Sequence, residues 1–121
     1  MRLIALRGAT TVEANEAESI LAATQDLMGQ LLARNRLDAD SIVSCVFTLT
    51  ADLDAEFPAV AARRMGLSRV PLLCAREIPV PGSLPRVIRV LMHCYPPVGV
   101  DPQHVYLGEA RRLRLDLEGA Q

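Results

Sequence analysis

The sequence predicts an α+β fold, a mixed β-sheet with helices packed on one face. Three observations carry that expectation. One long stretch has apolar residues at helical spacing, several short runs are apolar and β-branched, and the longer connections between those runs call for crossovers. At 121 residues the chain has room for one compact core and is read as a single domain over 1–121.

Residues 3–6 are a short apolar run, predicted as a first strand that ends in a polar turn at Arg7-Gly8-Ala9-Thr10-Thr11. The clearest helix follows over 16–34, with Ile20, Leu21, Leu27, Met28, Leu31 and Leu32 on one stripe and Glu18, Asp26 and Gln30 off it. Its acidic first turn, and Arg34 and Arg36 near its end, suit the helix dipole. Residues 41–50, Ser-Ile-Val-Ser-Cys-Val-Phe-Thr-Leu-Thr, are β-branched and apolar enough for a buried strand. A shorter helix is predicted over 58–65, because Pro58 is tolerated in a first turn and Gly66 stops the helix. Residues 70–74 read as a strand. Residues 78–83 read as a turn-rich connection, since Pro79 and Pro81 cannot both sit in a central ladder. The best strand pattern is 87–94, where Arg89 interrupts the apolar run before His93. Residues 104–107 make a last short strand ahead of a charged tail.

Composition removes several functions. Thirteen basic against 14 acidic residues leave a net charge of −1, without the basic surface that nucleic-acid binding requires. Half the residues are hydrophobic, so the chain can bury enough apolar area to fold. All 13 basic residues are Arg, which excludes Schiff-base chemistry, a pyridoxal anchor and the lysine of a phosphate-binding P-loop. Arginine is instead suited to gripping carboxylates at two points. Cys45, Cys74 and Cys94 are odd in number and form no CxxC pair, which points to a reducing compartment and a cytoplasmic protein. His93 beside Cys94 is too little for a metal site. The apolar stretch within residues 1–7 is too short for a signal-peptide core or a membrane span. No nucleic-acid or membrane partner is expected.

Three residues are candidates for chemistry. Arg89 in a strand needs a partner: either an ion pair with Glu77 or a ligand oxygen in a cleft. Arg7, beside Gly8, reads either as an exposed solvating charge or as a ligand contact at a strand end. Glu77 could accept a hydrogen bond or act as a general base. Neither His93 nor His104 has a motif around it, so no Ser-His-Asp arrangement is supported.

Taken together, four blocks make the chain resemble the trimeric bacterial class of monofunctional chorismate mutases over nearly its whole length. They are Arg7-Gly8-Ala9-Thr10-Thr11-Val12-Glu13; Phe47-Thr48 through Thr50, Asp52-Leu53 and Phe57-Pro58-Ala59 to Arg63; Val70-Pro71-Leu72 through Cys74 to Glu77; and Ile88-Arg89-Val90 followed by His104-Val105-Tyr106-Leu107 and Leu113-Arg114. The resemblance implies rearrangement of the dicarboxylate chorismate to prephenate, a unimolecular reaction that needs no nucleophile, metal or cofactor. It implies that Arg89 donates to the ether oxygen and Arg7 clamps a carboxylate. Tyr106 would contact the same carboxylate, and Glu77 with Cys74 would meet the ring hydroxyl and the polarised ring. Phe57, Ala59, Leu72 and Leu73 would form an apolar wall. Arg63 would close the mouth together with Leu113 and Arg114 of a tail, about 109–121, that stays mobile until ligand arrives. It further implies a homotrimer whose sheets form a barrel-like core, with each active site between neighbouring subunits.

The chain departs from the family pattern at Val60, where related chains carry a basic residue near the cleft, leaving Arg63 or Arg114 to make that carboxylate contact. Leu73 is also bulkier than the small or polar residue expected before the cysteine. Two alternatives belong to other classes: a trimeric deaminase of imines or enamines, which would release ammonia, and a non-catalytic trimer that binds a chorismate-like ligand without turnover.

Overall fold

The computed structural model describes residues 2–114. Five strands and two α-helices follow in chain order: β1 (Ile4–Thr11), α1 (Ala17–Arg34), β2 (Ile42–Leu49), α2 (Pro58–Arg64), β3 (Leu72–Arg76), β4 (Val87–Cys94) and β5 (Val105–Tyr106). They form one sheet in the order β3-β2-β4-β1-β5. Central β4 runs antiparallel to both neighbours, while β2 with β3 and β1 with β5 are parallel pairs, which makes the sheet mixed, as expected.

The two-residue alternation of the strands separates the two faces of this sheet. Leu6 of β1, Cys45, Phe47 and Leu49 of β2, and Ile88, Val90 and Met92 of β4 are buried on the helix side. There they form one core with Ile20, Leu27, Met28 and Leu31 of α1. Each large side chain so buried contributes about 1.5–3 kcal/mol. Thr24 interrupts the apolar stripe of α1, yet it is fully buried because its hydroxyl donates to the Ile20 carbonyl at 2.8 Å. Asn35 closes α1 in the same way: its amide donates to the carbonyls of Leu31 and Gln103 and accepts the Gln103 N–H, tying the segment before β5 to the helix.

The first strand is longer than expected. Residues 7–11 were expected to turn, but they continue β1 to Thr11, paired with β4 from Ile4 opposite Cys94 to Thr11 opposite Val87. Thr10 and Thr11 are β-branched and suit a pleated strand. Gly8 serves helix packing, because a Cβ there would lie 2.9 Å from Leu31 Cδ1, 3.0 Å from Val90 Cγ1 and 3.1 Å from Leu27 Cδ1. Arg7 is thereby in mid-strand, not at a strand end. β3 begins at Leu72, two residues later than expected, since Pro71 has no N–H for the ladder and contributes only its carbonyl, which accepts from Cys45. α2 stops one residue early, with Met65 as its cap and Gly66 at φ 100°.

Gly8→Ala should destabilise the fold. Overpacking costs about 1–3 kcal/mol, against a gain of about 0.4–1 kcal/mol from restricting the unfolded chain. Urea denaturation should show a lower midpoint with an unchanged slope, and a midpoint at or above that of the wild type would contradict the close helix approach.

Candidate active site

On the face of the sheet opposite the helices, side chains line up in register across the strands. Thr48 of β2 faces Arg89 of β4, which faces Ala9 of β1, which faces Tyr106 of β5. One step along, Leu73, Val46, Leu91 and Arg7 form the adjacent row. Arg7, Ala9, Val46, Thr48, Arg89, Leu91 and Tyr106 line a concavity of about 400 Å³, with an apolar floor and charged groups at its edge.

Glu77 lies one residue past β3, and its N–H donates to the Leu49 carbonyl at 2.9 Å, so the β2–β3 ladder fixes its backbone. Its side chain reaches back across β2 to β4. There Arg89 Nε donates to Oε1 and Oε2, each at 3.1 Å, and the Thr48 hydroxyl donates to Oε2 at 2.8 Å. The Arg89 side chain is 46% exposed and that of Glu77 14%. A half-exposed ion pair contributes at most about 1 kcal/mol, too little for stability to be its main consequence. Arg89 thus makes the expected ion pair with Glu77 and also lines the concavity.

His104 stands beside this row, and its Nδ1 accepts the Arg7 backbone N–H at 3.0 Å. Its pKa is lowered, first by burial and then by the charges of Arg7 and Arg114. That coupling places Arg114 within electrostatic reach of the same cluster. Arg7 and Arg89 line the concavity and Arg7 and Arg114 act on His104, so positive charge collects at this edge of the sheet on a chain of net charge −1.

The other expected residues lie elsewhere on the chain. Phe57, 63% exposed, and Cys74 line a second depression of about 430 Å³ together with Leu53 and Arg76. Arg76 shapes it, its Nη1 donating to the carbonyls of Thr50 at 2.7 Å and Leu53 at 2.8 Å. Asn15 supports the same loop, accepting the N–H groups of Asp54 and Ala55. Leu72 and Cys74 pack against the core from the helix side, while Leu73 projects, 62% exposed, from the opposite face. Ala59 is buried in α2, and Arg63 is exposed near the end of that helix. Leu113 is half-buried and Arg114 exposed in a helical turn at 111–114, after a 3-10 turn at Gly108–Ala110. The rest of the expected tail, residues 115–121, lies outside the described residues.

Thr48 was not among the residues expected to take part. The signal was present in the alternation of β2, where the polar residues Ser44 and Thr48 fall out of phase with the buried residues Cys45, Phe47 and Leu49. Among the described residues, no group of three or more His, Cys, Asp or Glu is placed to hold a metal ion, and no helix is long and apolar enough to cross a membrane. Burial pushes the Cys45 thiol up to about 12, helped by nearby Cys94, whose own thiol is raised by burial.

Comparison with known proteins bears directly on this geometry. The chorismate mutase type I family matches residues 3–117. A chorismate mutase AroH from Thermus thermophilus is 52% identical over 118 residues, 96% of this chain and 97% of that protein. The chorismate mutase AroH of Bacillus subtilis (strain 168) is 39% identical over 119 residues, 97% of this chain and 94% of that protein. A solved chorismate mutase structure from Clostridium thermocellum superposes with a TM-score of 0.86 at 49% identity, covering 90% of this chain and 98% of the other.

Two outcomes follow from the site's titratable groups. A His whose folded pKa is lowered takes up its proton more readily in the unfolded chain, so stability is complete above about pH 6.5 and falls as pH drops below it. His104→Asn keeps an acceptor for the Arg7 N–H and should flatten that part of the stability–pH curve in urea titrations; an unchanged slope would contradict the assignment. In thiol labelling near pH 8, half-buried Cys74 should react while Cys45 and Cys94 wait for unfolding. Prompt labelling of all three in the folded protein would be the contrary result.

Proposed function

This chain belongs to the type I chorismate mutase family and is an isomerase that converts chorismate to prephenate for aromatic amino acid biosynthesis; from that premise we propose how its residues do so. Family membership selects the mutase among the three alternatives that the sequence left open. The reaction breaks an ether C–O bond as a C–C bond forms within one molecule. The protein therefore has to hold the compact conformer and stabilise the charge that separates along the way.

Arg89 is the donor to the ether oxygen, where negative charge grows between ground state and transition state. The observation that carries this role is its double position, tied through Nε to Glu77 and lining the concavity. A guanidinium fixed in advance stabilises developing charge without reorganising during the reaction. Arg7, in the adjacent row, clamps a carboxylate, and Tyr106 bonds the same group. Glu77 and Cys74 meet the ring hydroxyl and the ring carbons that become positively polarised. Phe57, Ala59, Leu72 and Leu73 supply the apolar wall, and Arg63, Leu113 and Arg114 close the mouth, with Arg63 or Arg114 taking the carboxylate contact that Val60 cannot make. No cofactor or metal has a part in this scheme.

The site is completed between subunits of a homotrimer. Two features of the single chain support that reading. The charged row and the Phe57–Cys74 depression are separate on one chain, and the sheet face that carries Arg89 leaves Val43, Leu73 and Leu91 exposed to solvent. A closed threefold arrangement would cover this face and bring the charged row of one copy to the wall of the next. Three free cysteines also suit the reducing cytoplasm, where we place the protein.

Arg89→Ala should lower kcat/KM for chorismate by about a thousandfold, mostly through kcat, since an oxyanion donor of this kind is worth roughly a hundred- to a thousandfold. Prephenate formation followed spectroscopically, with oligomeric state checked by light scattering, measures this. A loss below about tenfold in a folded, assembled variant would remove Arg89 from its proposed role.

A further inference from the structure

We propose that Thr48 is a positioning residue, holding the Glu77 carboxylate in the one orientation that leaves the terminal nitrogens of Arg89 available to substrate. This rests on the role proposed above for Arg89 and deepens it.

The geometry is particular. A carboxylate and a guanidinium in contact favour a fork of two parallel N–H···O bonds. Glu77 does not form that fork: both of its oxygens share the single Nε of Arg89, at 3.1 Å each. The shorter bond, at 2.8 Å, comes from the Thr48 hydroxyl to Oε2. Thr48 and Arg89 are register partners on adjacent strands, so the hydroxyl is as rigidly placed as the guanidinium it serves. With Oε2 held over β2, the carboxylate cannot rotate to take a second bond from a terminal nitrogen. Without the hydroxyl, no other hydrogen bond of this carboxylate among the described residues opposes that rotation, and the relaxed fork would draw Arg89 away from the ether oxygen.

A threonine here has a stated chemical need. Valine has the same shape and β-branching but no donor, whereas serine keeps the donor. The consequence is a loss felt in the chemical step. Misplacing a preorganised group by about 1 Å can cost about a hundredfold.

The test compares Thr48→Val and Thr48→Ser by steady-state kinetics on chorismate, alone and in a Glu77→Ala background. Thr48→Val is expected to lower kcat about 10- to 100-fold with KM changed less than about threefold, and Thr48→Ser to stay within about threefold of wild type. With Glu77 already removed, Thr48→Val should add almost nothing, because its effect passes through that carboxylate. Full kcat in Thr48→Val, equal impairment of the valine and serine variants, or an undiminished loss in the Glu77→Ala background would each overturn the proposal. If Glu77→Ala loses activity while Thr48→Val does not, the assignment of Thr48 fails and the site reading stands. If Glu77→Ala is as active as wild type, both fall.

Discussion

A guanidinium on the open face of a sheet sets the requirement around which the rest of the site is arranged. Arg89 projects from central β4, away from the helices, and its proposed role calls for a carboxylate that orients it without consuming it. Glu77 meets that need from two strands away, because the parallel β2–β3 ladder extends one residue past Arg76 and fixes its backbone on Leu49. The order β3-β2-β4-β1-β5 then puts Thr48 on one side of Arg89 and Ala9 and Tyr106 on the other. A different strand order would scatter these residues. The fold's contribution to chemistry is thus largely register.

The helix side secures that register. A one-residue slip of β1 would turn Leu6 out of the core and Arg7 into it, and Gly8 allows α1 to lie close against β1. The sites of side-chain satisfaction flank the sheet: Asn35 holds the approach to β5, and Arg76 with Asn15 holds the loop that carries Phe57. These bonds contribute to stability, and they also decide where Phe57 and the approach to Tyr106 stand.

Much of this was legible in the sequence. The spacing of Ile20, Leu27, Met28 and Leu31 determines α1, and the apolar run around Arg89 gives β4 with its observed limits, Val87–Cys94. Arg7 and Gly8 read locally as a turn, whereas tertiary pairing with β4 extends β1 through them. The pairing of Arg89 with Glu77 could be named from charge alone, since a strand arginine requires a partner. The link from Glu77 to Thr48 could not, because it depends on β2 and β3 being parallel neighbours. The separation of Phe57 and Cys74 from the charged row is likewise a property of three-dimensional placement.

That separation is the point on which the proposed mechanism turns, for a charged row on one copy must meet an apolar wall on another. Co-refolding equal amounts of two inactive variants, Arg89→Ala and Phe57→Asp, tests it directly. If each site takes its charged row from one subunit and its wall from the next, random trimers contain intact sites at about one quarter of the wild-type number, and chorismate turnover returns to about that level. If the mixture stays as inactive as its components, the site lies within a single chain and the intersubunit account is wrong.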